Sequence, residues 1–280
     1  MTVHVERQGV TIVATIARSW LLVPATAPDR FVHPADSGVD AVIIDLEDAV
    51  PGPAKPSARA DVVAWLQRGG SAWVRINDAT TTYWADDLAA LADAPGLAGV
   101  MLAKTESGSQ VEATAGWLPD GTRIVPLTES AVGLEAVADI ARADGAFRLA
   151  FGNGDFRRDT GTSDEPMAMA YPRSRLVVAS RAARLPGPID GPTLSNNDTI
   201  LQRDTALTAS MGMTGKLCMN PGQAAAVDKG LSPSREDIVW ARDTIAALGV
   251  DGERVRDGSD LPRLAKAKKL DAAAVAFGLS

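Results

Sequence analysis

Cysteine, histidine and aromatic residues are scarce in this chain, and it carries no basic excess. Cys218 is the single cysteine, so no disulfide can form within the chain and a reducing compartment fits. The only histidines, His4 and His33, read as surface or packing residues, and no Ser–His–Asp or Cys–His constellation assembles around them. Lys and Arg number 28 against 35 Asp and Glu, a net charge of -7. That balance excludes a general nucleic-acid binder, while a small anionic ligand would need only a local cluster of Arg and Lys. Aromatics make up 5% of the chain, so a core of small and β-branched side chains is expected. No apolar run approaches the roughly 18 residues of a membrane span. The apolar stretch 10–17 is short and lacks a clearly basic lead, which predicts no signal peptide and a cytoplasmic protein.

What is present is an ordinary globular composition, 46% hydrophobic and 22% charged over 280 residues. Eight apolar runs of strand length recur: WLLVPA (20–25), AVIIDLED (41–48), AWVRIN (72–77), GVMLAK (99–104), RIVPLTE (123–129), RLAFGNGD (148–155), ARLPGPID (183–190) and KLCMNP (216–221). Most are continuous rather than alternating, as suits parallel strands covered by helices. Helix-compatible segments lie between them, at 61–68, 85–94, 110–117, 133–143, 167–182, 198–211 and 221–229. This count and spacing predict a (β/α)8 TIM barrel. The rival, a doubly wound open sheet, normally carries a Gly-rich turn after its first strand, and here Thr26-Ala27-Pro28 stands in that place. Ser232-Pro233 predicts an N-cap and first helical position. A basic amphipathic helix follows near 261–277. The reading is therefore a variable lead-in over 1–17, a barrel over 18–249 and a C-terminal helical extension over 250–280, free to cap its own barrel or a neighbouring subunit.

Active sites of such barrels lie at the C-terminal strand ends, and polar residues gather there. Strand two ends in Asp45, Glu47 and Asp48; strand three in Arg75 and Asn77; strand four at Lys104; strand five at Glu129; strand six at Asp155; strand eight at Asn220. Glu129 and Asp155, on adjacent strands, could share a divalent cation, since one or two carboxylates plus water suit Mg2+. Position alone equally allows each to pair with Arg157 or Arg158. Arg75 rises between Val74 and Ile76, whose side chains turn into the helical layer; it could hold a substrate carboxylate or bridge to Asp45 or Glu47. Gly152 and Gly154 permit close backbone approach or a positive φ. Cys218, inside a strand, reads as core.

The segments RSWLLVPA (18–25), DLEDAVPGPAKPSAR (45–59), VRIN (74–77), MLAKTES (101–107), LTESAVGL (127–134), FGNGDF (151–156) and KLCMNPGQ (216–223), taken together and in this order, resemble the citrate lyase β-subunit-like proteins of the HpcH/HpaI aldolase and citrate lyase superfamily. The resemblance implies a (β/α)8 barrel, usually trimeric or hexameric. It also implies Mg2+-dependent cleavage or formation of 3-hydroxyacyl thioesters such as citryl-, malyl- or citramalyl-CoA. It puts Glu129 and Asp155 on metal-ligand positions, Arg75 on the substrate-carboxylate position, and Glu47 and Asp48 on the acidic motif beside the metal. Arg75, Glu47 and Asp48 are the implied catalytic residues. Lys55, paired with Arg59, and Asn220 join Arg75 as the implied substrate-binding ones. The chain departs from the family pattern at Val132, Gly154 and Asn220, where arginine, glutamate and histidine are common. Alternatives are a class II pyruvate aldolase acting on free hydroxy-keto acids, or a non-catalytic metal- or acyl-carrier-binding subunit.

Overall fold

A computed structural model describes residues 12–280 of the chain, so His4 and the lead-in before residue 12 lie outside the described residues. Eight parallel strands close into a barrel in sequence order: β1 (Ser19–Pro24), β2 (Ala41–Asp45), β3 (Ala72–Ile76), β4 (Leu97–Leu102), β5 (Ile124–Thr128), β6 (Ala150–Phe151), β7 (Ile189–Asp190) and β8 (Gly215–Cys218). The ring is completed by β1 pairing with β8. Alternate residues explain the continuous apolar runs, because both faces of every strand are covered. Ile43, Trp73, Met101, Leu127 and Leu217 fill the barrel interior, whereas Ile44, Val74, Val100, Leu102 and Cys218 pack outward under the helices. The same parity sends Asp45, Arg75 and Glu129 inward at the ends of their strands.

Some expected elements differ. β6 and β7 have two residues each. Pro186 and Pro188 remove amide donors from the run leading into β7, and after β6 the chain turns directly into the helix Asn153–Thr160. Asp155 therefore stands in the first turn of that helix rather than on a strand. The helix expected over 133–143 is two short pieces, Ala131–Glu135 and Val137–Ile140, joined at Ala136. The helix after β2 starts earlier than expected, as Lys55–Gln67 with proline in its first turn. Ser234, not Ser232, caps the helix Arg235–Leu248, because it forms a reciprocal capping box with Asp237.

At the N-terminal end of the barrel, the fully buried Arg148 donates to the carbonyls of Ala14 (3.2 Å) and Ala17 (2.8 Å), tying the end of the lead-in to the barrel floor. The C-terminal helix Asp260–Ala276 lies against Arg235–Leu248, burying Leu264 and Ala267, and the Phe277 ring sits 4.0 Å from the Arg18 guanidinium just before β1. The extension thus docks on its own barrel. Among the described residues, no helix is long and apolar enough to cross a membrane.

Candidate active site

A cleft of about 420 Å3 opens at the C-terminal strand ends, lined among others by Asp48, Arg75, Glu129, Asp155, Arg173 and Lys216. It is where the strand-end reading placed it. Of the seven residues singled out from sequence, Asp48, Arg75, Glu129 and Asp155 line this cleft, and Glu47 lies directly beside Arg75.

Glu129 follows β5 and is almost fully buried; its Oε1 accepts the Lys104 backbone N–H at 2.8 Å. Burial, joined by the like charges of Asp155 and Glu47, outweighs the Lys104 amide and Arg75 and pushes the Glu129 carboxyl up to about 8. Gly152 makes this placement possible. A Cβ there would lie 2.3 Å from Glu129 Oε2 and 2.5 Å from its Cβ. The close approach that this glycine permits is to the glutamate itself, and neither Gly152 nor Gly154 takes a positive φ. Gly154 has nothing within 4 Å of its missing Cβ, so it leaves open space at the cleft wall.

Asp155 realises half of the ion-pair alternative. Its Oδ1 meets Arg158 at 3.1 Å, but that arginine side chain is 72% exposed, so solvent screens the pair. Its Oδ2 is buried without a hydrogen-bond partner. Arg157 turns instead to Asp164, at 3.5 Å. A buried orphan carboxylate oxygen in the same cleft as a second, buried carboxyl is an arrangement a divalent cation would satisfy. Among the described residues, no three His, Cys, Asp or Glu side chains form a ready-made cage. The site fits an ion that keeps water and substrate oxygens in its shell, as Mg2+ does.

Arg75 makes the bridge that the sequence left as an alternative. Its Nε and Nη2 donate to Asp45 Oδ1 and Oδ2, both at 2.7 Å, and Nη1 lies 3.4 Å from Glu47 Oε2. Although burial disfavours charge, the Asp45 bonds and the surrounding carboxylates hold the guanidinium firmly cationic. The fork is fixed from behind, and its remaining edge still faces the cleft. Glu47 is buried and raised above the usual carboxylate range by burial, against the pull of Arg75 and Lys104. Asp48 is half exposed, and its carboxylate meets Lys104 Nζ at 3.2 Å.

Two expected substrate-binding residues are not brought into the cleft. Lys55 is buried behind the acidic loop and donates to the carbonyls of Leu46 (2.7 Å) and Glu47 (2.8 Å), which also accept the Asn77 side-chain amide and the Val50 N–H respectively. Its partner Arg59 binds Asp87 at 2.8 Å. Asn220 hydrogen-bonds Asn196 at 3.1 Å on the rim and does not line the cleft. Val132 is 60% exposed and stands outside it too. His33 packs its ring 5.4 Å from Trp65, and Cys218 is buried, its thiol pushed up to about 12 by that burial.

One buried polar cluster had only a partial sequence signal. Asp190 ends β7 and accepts Arg173 Nε (3.0 Å) and Thr208 Oγ1 (2.6 Å), with Lys216 Nζ at 3.8 Å. The strand-end rule points to Asp190, but Arg173 and Lys216 reach it from a helix and the next strand, which spacing does not reveal. Together they clamp the helices Ala170–Ala182 and Asp198–Ser210 to the β7–β8 side of the cleft.

The chain is similar to known proteins along most of its length. Residues 18–221 match the profile of HpcH/HpaI aldolase/citrate lyase, and residues 236–278 that of the HpcH/HpaI aldolase C-terminal domain. A citrate lyase subunit beta-like protein of Mycobacterium tuberculosis is 34% identical over 237 residues, 81% of this chain and 84% of that protein. The mitochondrial citramalyl-CoA lyase of Homo sapiens is 30% identical over 261 residues, 82% of this chain and 75% of that one. The crystal structure of protein CitE from Mycobacterium tuberculosis in complex with magnesium, acetoacetate and coenzyme A superposes with a TM-score of 0.78 at 30% identity, covering 93% of this chain and 99% of that one.

Proposed function

The chain belongs to the HpcH/HpaI aldolase/citrate lyase family and is a carbon–carbon lyase of that type, and from that premise we propose that it cleaves or forms a 3-hydroxyacyl-CoA thioester with Mg2+ as cofactor. The observation that carries the metal reading is the buried, unpartnered Asp155 Oδ2 in the same cleft as Glu129. Glu129 and Asp155 would hold the ion. When bound, Mg2+ supplies Lewis acidity to the carboxylate or keto fragment, where enolate charge develops.

The chain's own residues supply the rest. Arg75, locked by Asp45, presents a guanidinium edge that fixes a substrate carboxylate and adds positive potential. Because Asp45 restrains the fork, little rotamer freedom is lost when substrate binds. Glu47 and Asp48, beside Arg75 and Lys104, orient the water-facing rim of the opening. The thioester reading draws on relatives named for citramalyl-CoA and citrate, and on a relative crystallised with coenzyme A.

The test is incubation of purified protein and Mg2+ with citramalyl-, malyl- and citryl-CoA, following thioester products by chromatography. Turnover of one of them is expected, together with its loss in Asp155→Asn. A protein that takes up Mg2+ yet turns over none of the three would overturn the thioester assignment and leave the metal site standing.

A further inference from the structure

Lys104 holds a left-handed backbone, with φ of 47°; among the described residues the only other non-glycine at positive φ is Arg184. For a lysine this conformation costs about 1 kcal/mol or more, and such strain persists only where surrounding contacts impose it. The neighbours show how. Ala103 N–H donates to Ile76 O of β3 at 3.3 Å, and Thr105 N–H donates to Leu127 O of β5 at 3.0 Å. Between these two sheet bonds, the turn at Lys104 swings its own N–H out of the ladder and onto Glu129 Oε1, at 2.8 Å. The side chain reaches the opposite way: its ammonium contacts the Glu47 carboxylate and lies 3.2 Å from Asp48 Oδ1. One residue thus touches Glu129 through its main chain and the acidic loop through its side chain.

We propose that Lys104 is a positioning residue with two separable actions: its backbone N–H orients Glu129 as a cation ligand, and its ammonium holds the Glu47–Asp48 loop against the same opening. The first action rests on the reading of Glu129 as a metal ligand. The second stands on geometry alone. From the cleft side, Arg75 reaches Glu47 but not Asp48, while the loop amides at Glu47, Asp48 and Ala49 all bond to carboxylates of Asp45 or Glu47 within the same turn. Lys55 and Asn77 hold the loop's carbonyls from behind and Arg75 holds its Asp45 and Glu47 carboxylates, so Lys104 is the cation that reaches Glu47 and Asp48 together from across the opening.

The two actions respond to different substitutions. Lys104→Gly keeps the N–H, tolerates positive φ and deletes the ammonium. Lys104→Val deletes the ammonium and also opposes the left-handed turn. Lys104→Arg keeps a cation. Mg2+ affinity is read by calorimetry on the substrate-free protein, and loop order by hydrogen exchange of the 46–50 amides. The glycine variant is expected to bind Mg2+ within about twofold of the parent, while loop exchange rises about fivefold and the arginine variant restores it. The valine variant is expected to lose Mg2+ affinity by about tenfold. Equal Mg2+ losses in the glycine and valine variants, or unchanged loop exchange in the glycine variant, would overturn the proposal. If circular dichroism shows that Lys104→Val does not fold, Lys104→Gly decides, and a tenfold Mg2+ loss there overturns it. A parent protein that takes up no Mg2+ would instead remove the metal reading on which the first action rests.

Discussion

Glu129 illustrates how a single carboxyl can couple metal binding, pH and stability. Its ordinary value is 4.5, and burial raises it to about 8 in the fold. Between those values the folded state holds a proton that the unfolded chain has released. Without metal, stability must therefore fall as pH rises across that window, by up to about 1.4 kcal/mol per pH unit, and level off above it. A bound cation favours the ionised carboxylate and opposes that loss. Three outcomes are expected. Thermal scans of metal-free protein should show the melting temperature falling between about pH 5 and pH 8, and Glu129→Gln should flatten that slope. Mg2+ affinity should climb with pH until Glu129 is ionised. Calorimetry in buffers of different ionisation enthalpy should detect proton release, approaching about one proton per ion below pH 8. Mg2+ binding that is insensitive to pH and releases no proton would mean that Glu129 is not a ligand.

At the scale of elements, the acidic loop after β2 depends on a buried support that strand-end reasoning cannot see. Lys55 fastens the Leu46 and Glu47 carbonyls, while Asn77 Nδ2 bonds Leu46 O at 3.1 Å and Asp87 at 2.6 Å. Arg59 closes the network on Asp87. Replacing Lys55 with Met would remove the charged donor from both carbonyls, leaving Leu46 O only Asn77 and Glu47 O only the Val50 N–H. A stability loss of about 1–3 kcal/mol in urea denaturation is expected, with turnover falling further than Mg2+ affinity because Glu129 and Asp155 are untouched. An unchanged unfolding midpoint would show that the carbonyls find other donors. This network also marks the boundary of what the sequence could tell. The barrel, its strand order and the inward parity of Asp45, Arg75 and Glu129 follow from apolar runs whose length and spacing are local properties of the chain. The role of Lys55 does not, because a basic residue at a helix start looks alike whether it faces substrate or a carbonyl nine residues back. Asp155 was legible as a cleft residue but not as a helical one, since Asn153-Gly154-Asp155 contains no apolar periodicity to reveal where β6 stops. Arg75 was legible as inward-facing, and its bidentate hold on Asp45 is a cross-strand register effect: the two residues are paired neighbours on β2 and β3.

At the scale of the whole molecule, the two ends of the barrel are used differently. None of the residues lining the cleft lies beyond Met219, and Phe277, at the end of the C-terminal helix, meets Arg18 just before β1 instead. There the Arg18 guanidinium is shared among Asp40 (2.8 Å), Ser232 (2.6 Å) and the Phe277 ring, so the entry to β1 and the end of the C-terminal helix meet on one cation. The helix Asp260–Ala276 adds Leu264 and Ala267 to the contact with Arg235–Leu248, and Arg242 pairs with Asp271 at 3.0 Å. This arrangement separates stability from chemistry along the barrel axis, as expected when conserving the fold and varying the cleft fall on opposite faces. Leu264→Ala should then cost about 2–4 kcal/mol by removing buried methyl groups from the helix pair, while Mg2+ affinity and the kcat of the folded fraction stay near parental values. Denaturant unfolding gives the first quantity, and calorimetry with single-turnover kinetics gives the second. A drop in kcat or in Mg2+ affinity without a matching loss of stability would mean that the C-terminal helix reaches an active site after all, in which case mixing Leu264→Ala with Asp155→Asn protein should restore turnover if that site belongs to a second copy of the chain.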